Sequence, residues 1–370
     1  MADTEQQRIA SGVQNLLVNC AGLTRGQSLL IVYEDPGESY YDPGLLEAFS
    51  DTARRMGLIP ELYEVPFERD VKDPNQSLAA RIATNDRTLF LARLGDQIRF
   101  RPNGAPDTQI ISYALDREML GSDFGIAHYE AFNTLNLLLK QTLSTAHEIH
   151  VTCPAGTDFQ GGPVAYPKHG GDVTIKRFPV SVFTPAAMTG FAGRVAQVGF
   201  LVGTGSHFYQ PYACELTETL YVNFEGNRIT GFDGNQADIA AARAHYERVG
   251  ELLGIDTYFM HSWHAGIHPG CNYPMPAAEN FERWSNGAFG NPRLLHFHTC
   301  GNYPPGEISL NVADPTVLVD GVAIWEQGIL HPERLTGGGE MLARFPCAAH
   351  AFRAPARNIG TGRLGQLSFH

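Results

Sequence analysis

The 370-residue sequence has no Cys-x-x-Cys pair, no long uninterrupted apolar run and no excess of basic residues. Its six cysteines (20, 153, 214, 271, 300 and 347) are scattered. In a chain of this size they are expected as free thiols of a reducing, cytoplasmic compartment, not as a disulfide framework. The apolar stretches, such as the one around residues 135–139, fall far short of the ~20 residues that a membrane helix needs. The first eight residues are polar and lack the apolar centre of a signal peptide. Basic residues number 27 against 39 acidic ones, a net charge of -12. Neither nucleic acid nor an anionic membrane is therefore expected as a partner, because both call for a basic surface. Only 18% of residues are charged and 43% are hydrophobic, which describes an ordinary folded chain.

What is present divides the chain in two. Over residues 1–150, helical stripes alternate with short apolar runs. Leu45, Leu46, Phe49, Ala53 and Met56 recur at helical spacing and end at Gly57. Ser28 to Tyr33 is apolar almost throughout, as a strand buried on both faces should be. Such alternation predicts an α/β N-terminal domain with a parallel sheet. In residues 151–370 short strand candidates multiply, among them 173–178, 196–202, 294–298 and 308–312, and the stretch 151–229 is rich in Gly, Pro, Thr and Val. One clear helix interrupts them at 237–253. The second half is expected to be a mixed α+β domain that holds the pocket. The last thirty residues are expected as a loosely packed tail or one that lies on a partner.

Chemistry-bearing residues concentrate in three places. His296 and His298 stand two apart in Leu295-His-Phe-His-Thr, a strand pattern, so both imidazoles point to one side and can grip one ion. Imidazole suits iron, zinc, copper or nickel. His264 and His268 stand four apart in Trp263-His-Ala-Gly-Ile-His-Pro-Gly270. Its Gly and Pro argue for a loop, not a helical ligand pair. Arg93, Gln97 and Arg99 follow the strand candidate 88–92, and ligands of open parallel sheets bind beyond the carboxyl ends of strands. These arginines are candidates to clamp a carboxylate, against the alternative of a solvated loop. His147 and His150 are expected to be structural, and Gly203-x-Gly205 does not form a nucleotide fingerprint.

The ordered segments Ala155-Gly-Thr-Asp-Phe159, Arg228-Ile-Thr-Gly-Phe-Asp-Gly234, Trp263-His-Ala-Gly266 and Asp314-Pro-Thr-Val-Leu-Val-Asp-Gly321 resemble those of one superfamily. It comprises the iron-dependent 2,5-dihydroxypyridine 5,6-dioxygenases and the thermophilic-type metallo-aminopeptidases (aminopeptidase T). The resemblance implies an aminopeptidase T-like two-domain fold, a C-terminal active site and a homo-oligomer. It implies that His264 is a metal ligand. It also places Ser309 and Asn311 where the dioxygenases carry a His-x-Asp pair, and Arg177 where they carry a base. Neither serine nor a neutral amide replaces imidazole and carboxylate at iron, and a guanidinium is no general base near neutral pH. Ring cleavage of the family's kind is therefore not expected. Two readings follow. In one, His264, His296 and His298 form a rebuilt site for a divalent metal, iron or zinc, with His268 or His169 as acid–base candidates. It would act on a small aromatic or peptide substrate, for instance in natural-product biosynthesis. In the other, the protein carries no cofactor and binds a peptide or small molecule through Arg93, Arg99 and Arg177, presenting it to partner enzymes.

Overall fold

The computed structural model describes residues 2–99, 108–162, 175–188, 190–205, 207–301 and 306–367. Its strands are, in chain order, β1 (Ser28–Glu34), β2 (Ile59–Val65), β3 (Arg87–Leu91), β4 (Gln109–Ser112), β5 (Ile149–Thr152), β6 (Asp158–Gly161), β7 (Lys176–Phe178), β8 (Ala186–Ala187), β9 (Ala192–Gln197), β10 (Phe200–Gly203), β11 (Ala213–Glu215), β12 (Leu220–Glu225), β13 (Arg228–Asp233), β14 (Met260–Ala265), β15 (Leu294–Thr299), β16 (Ile308–Ala313), β17 (Thr316–Val319), β18 (Val322–Glu326) and β19 (Ile329–Leu330). They form a five-stranded sheet in the order β2-β1-β3-β4-β7, a six-stranded sheet β11-β10-β16-β15-β14-β8 and an eight-stranded sheet β13-β12-β9-β6-β5-β17-β18-β19.

The first sheet is parallel throughout. Leu29, Leu30, Ile31 and Val32 of β1 are wholly buried, as their continuous apolar run requires. Helices Gly44–Arg55 and Gln76–Thr84 make the crossovers. Residue 150, near which a division is expected, lies in β5, which pairs with β6 and β17 in the third sheet. The chain then returns once, since β7 adds to the parallel sheet beside β4. Helix Tyr129–Thr145 covers the join, with Phe132, Leu135 and Leu139 buried.

The second and third sheets are antiparallel and pack face to face. Phe297 of β15 meets Phe159 of β6 edge-on at 5.0 Å, and Trp263 of β14 lies 6.5 Å from Phe297. Fully burying such side chains contributes about 1.5–3 kcal/mol each. Because strand side chains alternate, committing Trp263 and Phe297 to this core turns His264, His296 and His298 to the opposite face.

Several local expectations need correction. The segment 196–202 is not one strand. Gly199, at φ 78°, breaks it into β9 and β10, which belong to different sheets. The residues around His264 are not a loop, because Trp263 and His264 pair with Phe297 and His296 inside β14. The loop begins only at Gly266, where a Cβ would lie 2.1 Å from the Asn291 carbonyl oxygen. The C-terminal residues are not a loose tail. Helices Gly338–Arg344 and Pro346–Arg353 bury Met341, Ala348 and Ala351, and the indole of Trp284 donates to the Ile359 carbonyl at 2.6 Å. Among the described residues no helix is long and apolar enough to cross a membrane.

Candidate metal centre

Two adjacent rungs of the second sheet build the site. His296 of β15 stands between His264 of β14 and Asn311 of β16, and His298 stands between Ser262 and Ser309. Cross-strand neighbours share a face, so all six side chains emerge on the side away from the Trp263–Phe297 core. The three imidazole rings lie 4.0, 4.7 and 5.3 Å apart between centroids. Among the described residues they form the one group of three or more His, Cys, Asp or Glu side chains whose donor atoms all lie within 4.8 Å of one another. All three rings are buried.

Their neighbours set which nitrogens face the common centre. Nδ1 of His264 lies 3.2 Å from the Phe183 carbonyl oxygen, an acceptor only, so it carries the proton and leaves Nε2 with its lone pair. Nδ1 of His298 is held by the Ser262 hydroxyl at 2.9 Å. Nδ1 of His296 is buried without a hydrogen-bond partner, as are the Ser309 hydroxyl and the Asn311 amide. Burial holds all three imidazoles well below the usual histidine range. His296 adds to the effect on His264, His298 to that on His296, and His264 to that on His298. The rings are therefore neutral near pH 7, the form that ligates metals. Three convergent neutral imidazoles and an orphaned ring nitrogen fit a divalent ion.

The face opens on a cavity whose far side is formed by residues at or just beyond the carboxyl ends of the parallel strands. Arg177 lies in β7 opposite Ile111 of β4, and Tyr113 follows β4 with its amide donating to the Phe178 carbonyl at 2.7 Å. After β3 the chain makes the short helix Arg93–Gln97, which carries Asp96 and leads to Arg99. Arg99, Tyr113 and Arg177 all line the cavity. Buried behind them, Asp96 is ion-paired to Arg99 and accepts the Tyr113 hydroxyl at 2.8 Å. Burial pushes its carboxyl above the usual range, against the pull of Arg99. Gly205, at φ 83°, allows this packing, since a Cβ there would lie 2.5 Å from Asp96 Oδ2.

The other candidates lie elsewhere. Arg93 does not line this cavity. Its guanidinium meets Glu34 at 2.8 Å, Glu38 at 2.9 Å and Glu282 at 3.0 Å, and lies over Phe67. It is a structural hub and not a clamp. His268 is fully buried and stacked on Phe132 at 3.6 Å, with Phe124 edge-on at 4.9 Å. Burial pushes its pKa down to about 3, and it does not reach the cavity, so the acid–base role suggested for it is not supported. His169 lies outside the described residues. Tyr113, Ser285, Asn286 and Phe289 line the cavity without having been singled out by sequence. No periodicity or spacing marks them, and only the docking of helix Phe281–Ala288 beside the carboxyl end of β4 brings them together.

No family model and no curated protein matches the sequence. Solved structures do match. The 2,5-dihydroxypyridine dioxygenase from Pseudomonas putida KT2440 aligns over 88% of this chain and 97% of its own, with a TM-score of 0.58 and 16% identity. AmpT from Thermus thermophilus aligns over 87% and 98%, with a TM-score of 0.49 and 11% identity. The chain thus has the fold of the Pseudomonas putida 2,5-dihydroxypyridine dioxygenase, a parallel α/β sheet joined to two antiparallel sheets.

Proposed function

We propose that the protein is a metal-dependent enzyme of the dioxygenase and aminopeptidase T fold, whose ion is held by His264, His296 and His298. The observation that carries this reading is the convergence of three neutral imidazoles on the wall of one cavity. A divalent ion there would supply Lewis-acid or oxygen chemistry, with positions left open by a three-ligand set. The chain's own groups would orient the substrate. Tyr113, fixed by Asp96, presents a hydroxyl to the cavity, and Phe289 lies 4.0 Å from the His296 ring as an aromatic wall.

Ser309 and Asn311 stand beside His298 and His296, where the resemblance places the dioxygenases' His-x-Asp pair. On this reading the ligand set has moved by one strand, from β16 to β15, and 2,5-dihydroxypyridine itself is not the substrate. The decisive experiment is elemental analysis of untagged protein, followed by iron and zinc titration. The wild type should bind one ion per chain, and the variant with both His296→Ala and His298→Ala should bind none while keeping its circular dichroism spectrum. A wild type that takes up neither ion would leave the cavity as a metal-free binding site, the reading that Arg99 and Arg177 in its wall favour.

A further inference from the structure

A histidine that ligates a metal through one ring nitrogen donates the other nitrogen's proton to a fixed acceptor, which sets the tautomer and aims the ring. Two of the three histidines have such a partner. Nδ1 of His264 has the Phe183 carbonyl, and Nδ1 of His298 has the Ser262 hydroxyl. Among the described residues Nδ1 of His296 has none, although it is buried. Phe289 and His264 confine the ring, each 4.0 Å away between centroids. Besides His264, strand register sets one side chain directly opposite His296, that of Asn311 in β16. Oδ1 and Nδ2 of Asn311 are also buried without partners. The backbone at Asn311 is fastened, since its amide donates to Gln197 Oε1 at 2.6 Å and Gln197 Nε2 donates to the Phe200 carbonyl at 2.7 Å. Unpaired buried polar atoms are costly, and these are complementary: a ring N–H can donate and an amide oxygen can accept. Opposed side chains of antiparallel strands have Cβ atoms about 4.5–5.5 Å apart. An imidazole and an asparagine bridge that span by rotation about their side-chain bonds.

We propose that Asn311 is the positioning residue of His296: in the metal-loaded protein the Nδ1–H of His296 donates to Asn311 Oδ1 and Nε2 faces the ion. The proposal rests on the metal-centre reading and completes it, so that a carbonyl, a hydroxyl and an amide each hold one ring. An imidazole that ligates through Nε2 carries its proton on Nδ1. Metal binding therefore fixes the donor that Asn311 accepts. Asn311 acts through His296 and does not itself ligate.

Zinc titration of the untagged full chain against a chromophoric chelator tests this, together with nitrogen-15 NMR of the histidine rings in zinc-loaded protein. Asn311→Leu should bind zinc roughly 10–100-fold more weakly, the usual loss when a ligating histidine is deprived of its partner. Asn311→Asp, which keeps an acceptor at the same place, should bind at least as tightly as the wild type. It also guards against misfolding of the leucine variant. In the zinc-loaded wild type the His296 proton should sit on Nδ1, and Asn311→Leu should shift that signal while leaving those of His264 and His298 in place. The metal-free Asn311→Leu protein should melt at a higher temperature than the wild type, because two unpaired buried polar atoms are removed. A structural asparagine would give the opposite pattern, and a lower melting temperature with unchanged zinc affinity overturns the proposal. So does a His296 proton on Nε2, or an Asn311→Asp protein that folds and binds as weakly as Asn311→Leu. The metal reading is judged apart. If the wild type binds zinc and a folded Asn311→Leu protein binds it equally well, the metal centre stands and the role of Asn311 falls. If the wild type takes up neither zinc nor iron, the metal centre falls and the role of Asn311 with it.

Discussion

His264 and His268 lie four residues apart and meet opposite fates. His264 is the last-but-one residue of β14, presents its ring to two other imidazoles and opens on the cavity. His268 lies beyond the end of β14, stacked against Phe132 and sealed from solvent. Both rings are neutral, and in both burial is the main cause. A depressed histidine pKa is therefore no mark of a functional residue here. What separates the two regions is company: polar rings around one, phenylalanines around the other. The same contrast separates Arg93, encased by three glutamates, from Arg99 and Arg177 on the cavity wall.

The comparison can be broken most forcefully at His268. His268→Ala should cost about 2–4 kcal/mol of stability by opening a hole beside Phe132, read by urea denaturation, yet leave iron or zinc uptake unchanged. Metal loss in a folded His268→Ala protein would merge the two regions into one site.

A smaller effect is expected at Ser262. Ser262→Ala removes the hydroxyl that holds Nδ1 of His298. Metal affinity should fall roughly 10–100-fold, as is usual for partners of ligating histidines, with stability changed little. Competition with a metal-sensitive dye measures this. An unchanged affinity would mean that His298 is oriented by packing alone.

The smallest effect per unit sharpens what the two regions share. The pKa values of His268 and His245 are depressed in the fold to about 3 and about 4, against an ordinary value near 6.5. The stability that their neutral forms contribute is complete above pH 6.5. It is lost as the pH falls from 6.5 down to and through the folded values, because over that range only the unfolded chain takes up the protons. Each should contribute a slope of roughly 1.4 kcal/mol per pH unit in that window. In metal-free protein, His268→Leu should flatten the acid side of the stability–pH curve by that amount. An unchanged slope would place the acid sensitivity in the cavity histidines instead.

Sequence alone determined much of this molecule. The apolar run of β1 and the helical stripe at residues 45–56 specify a parallel α/β sheet, because burial on both faces and an amphipathic cover follow from side-chain period. The two-residue spacing of His296 and His298 puts them on one face wherever that strand lies. Tertiary structure decided the rest. The register of β14 against β15 set His264 beside His296, and a shift by one residue would have exchanged its ring for Trp263. The return of β7 to the first sheet carried Arg177 to a cavity whose opposite wall lies more than eighty residues further on. The docking of helix Tyr129–Thr145 made a core residue of His268 and not a ligand. Local pattern fixes which way a side chain points from its own strand. Only the register of neighbouring strands and the docking of helices and sheets around it fix what it points at.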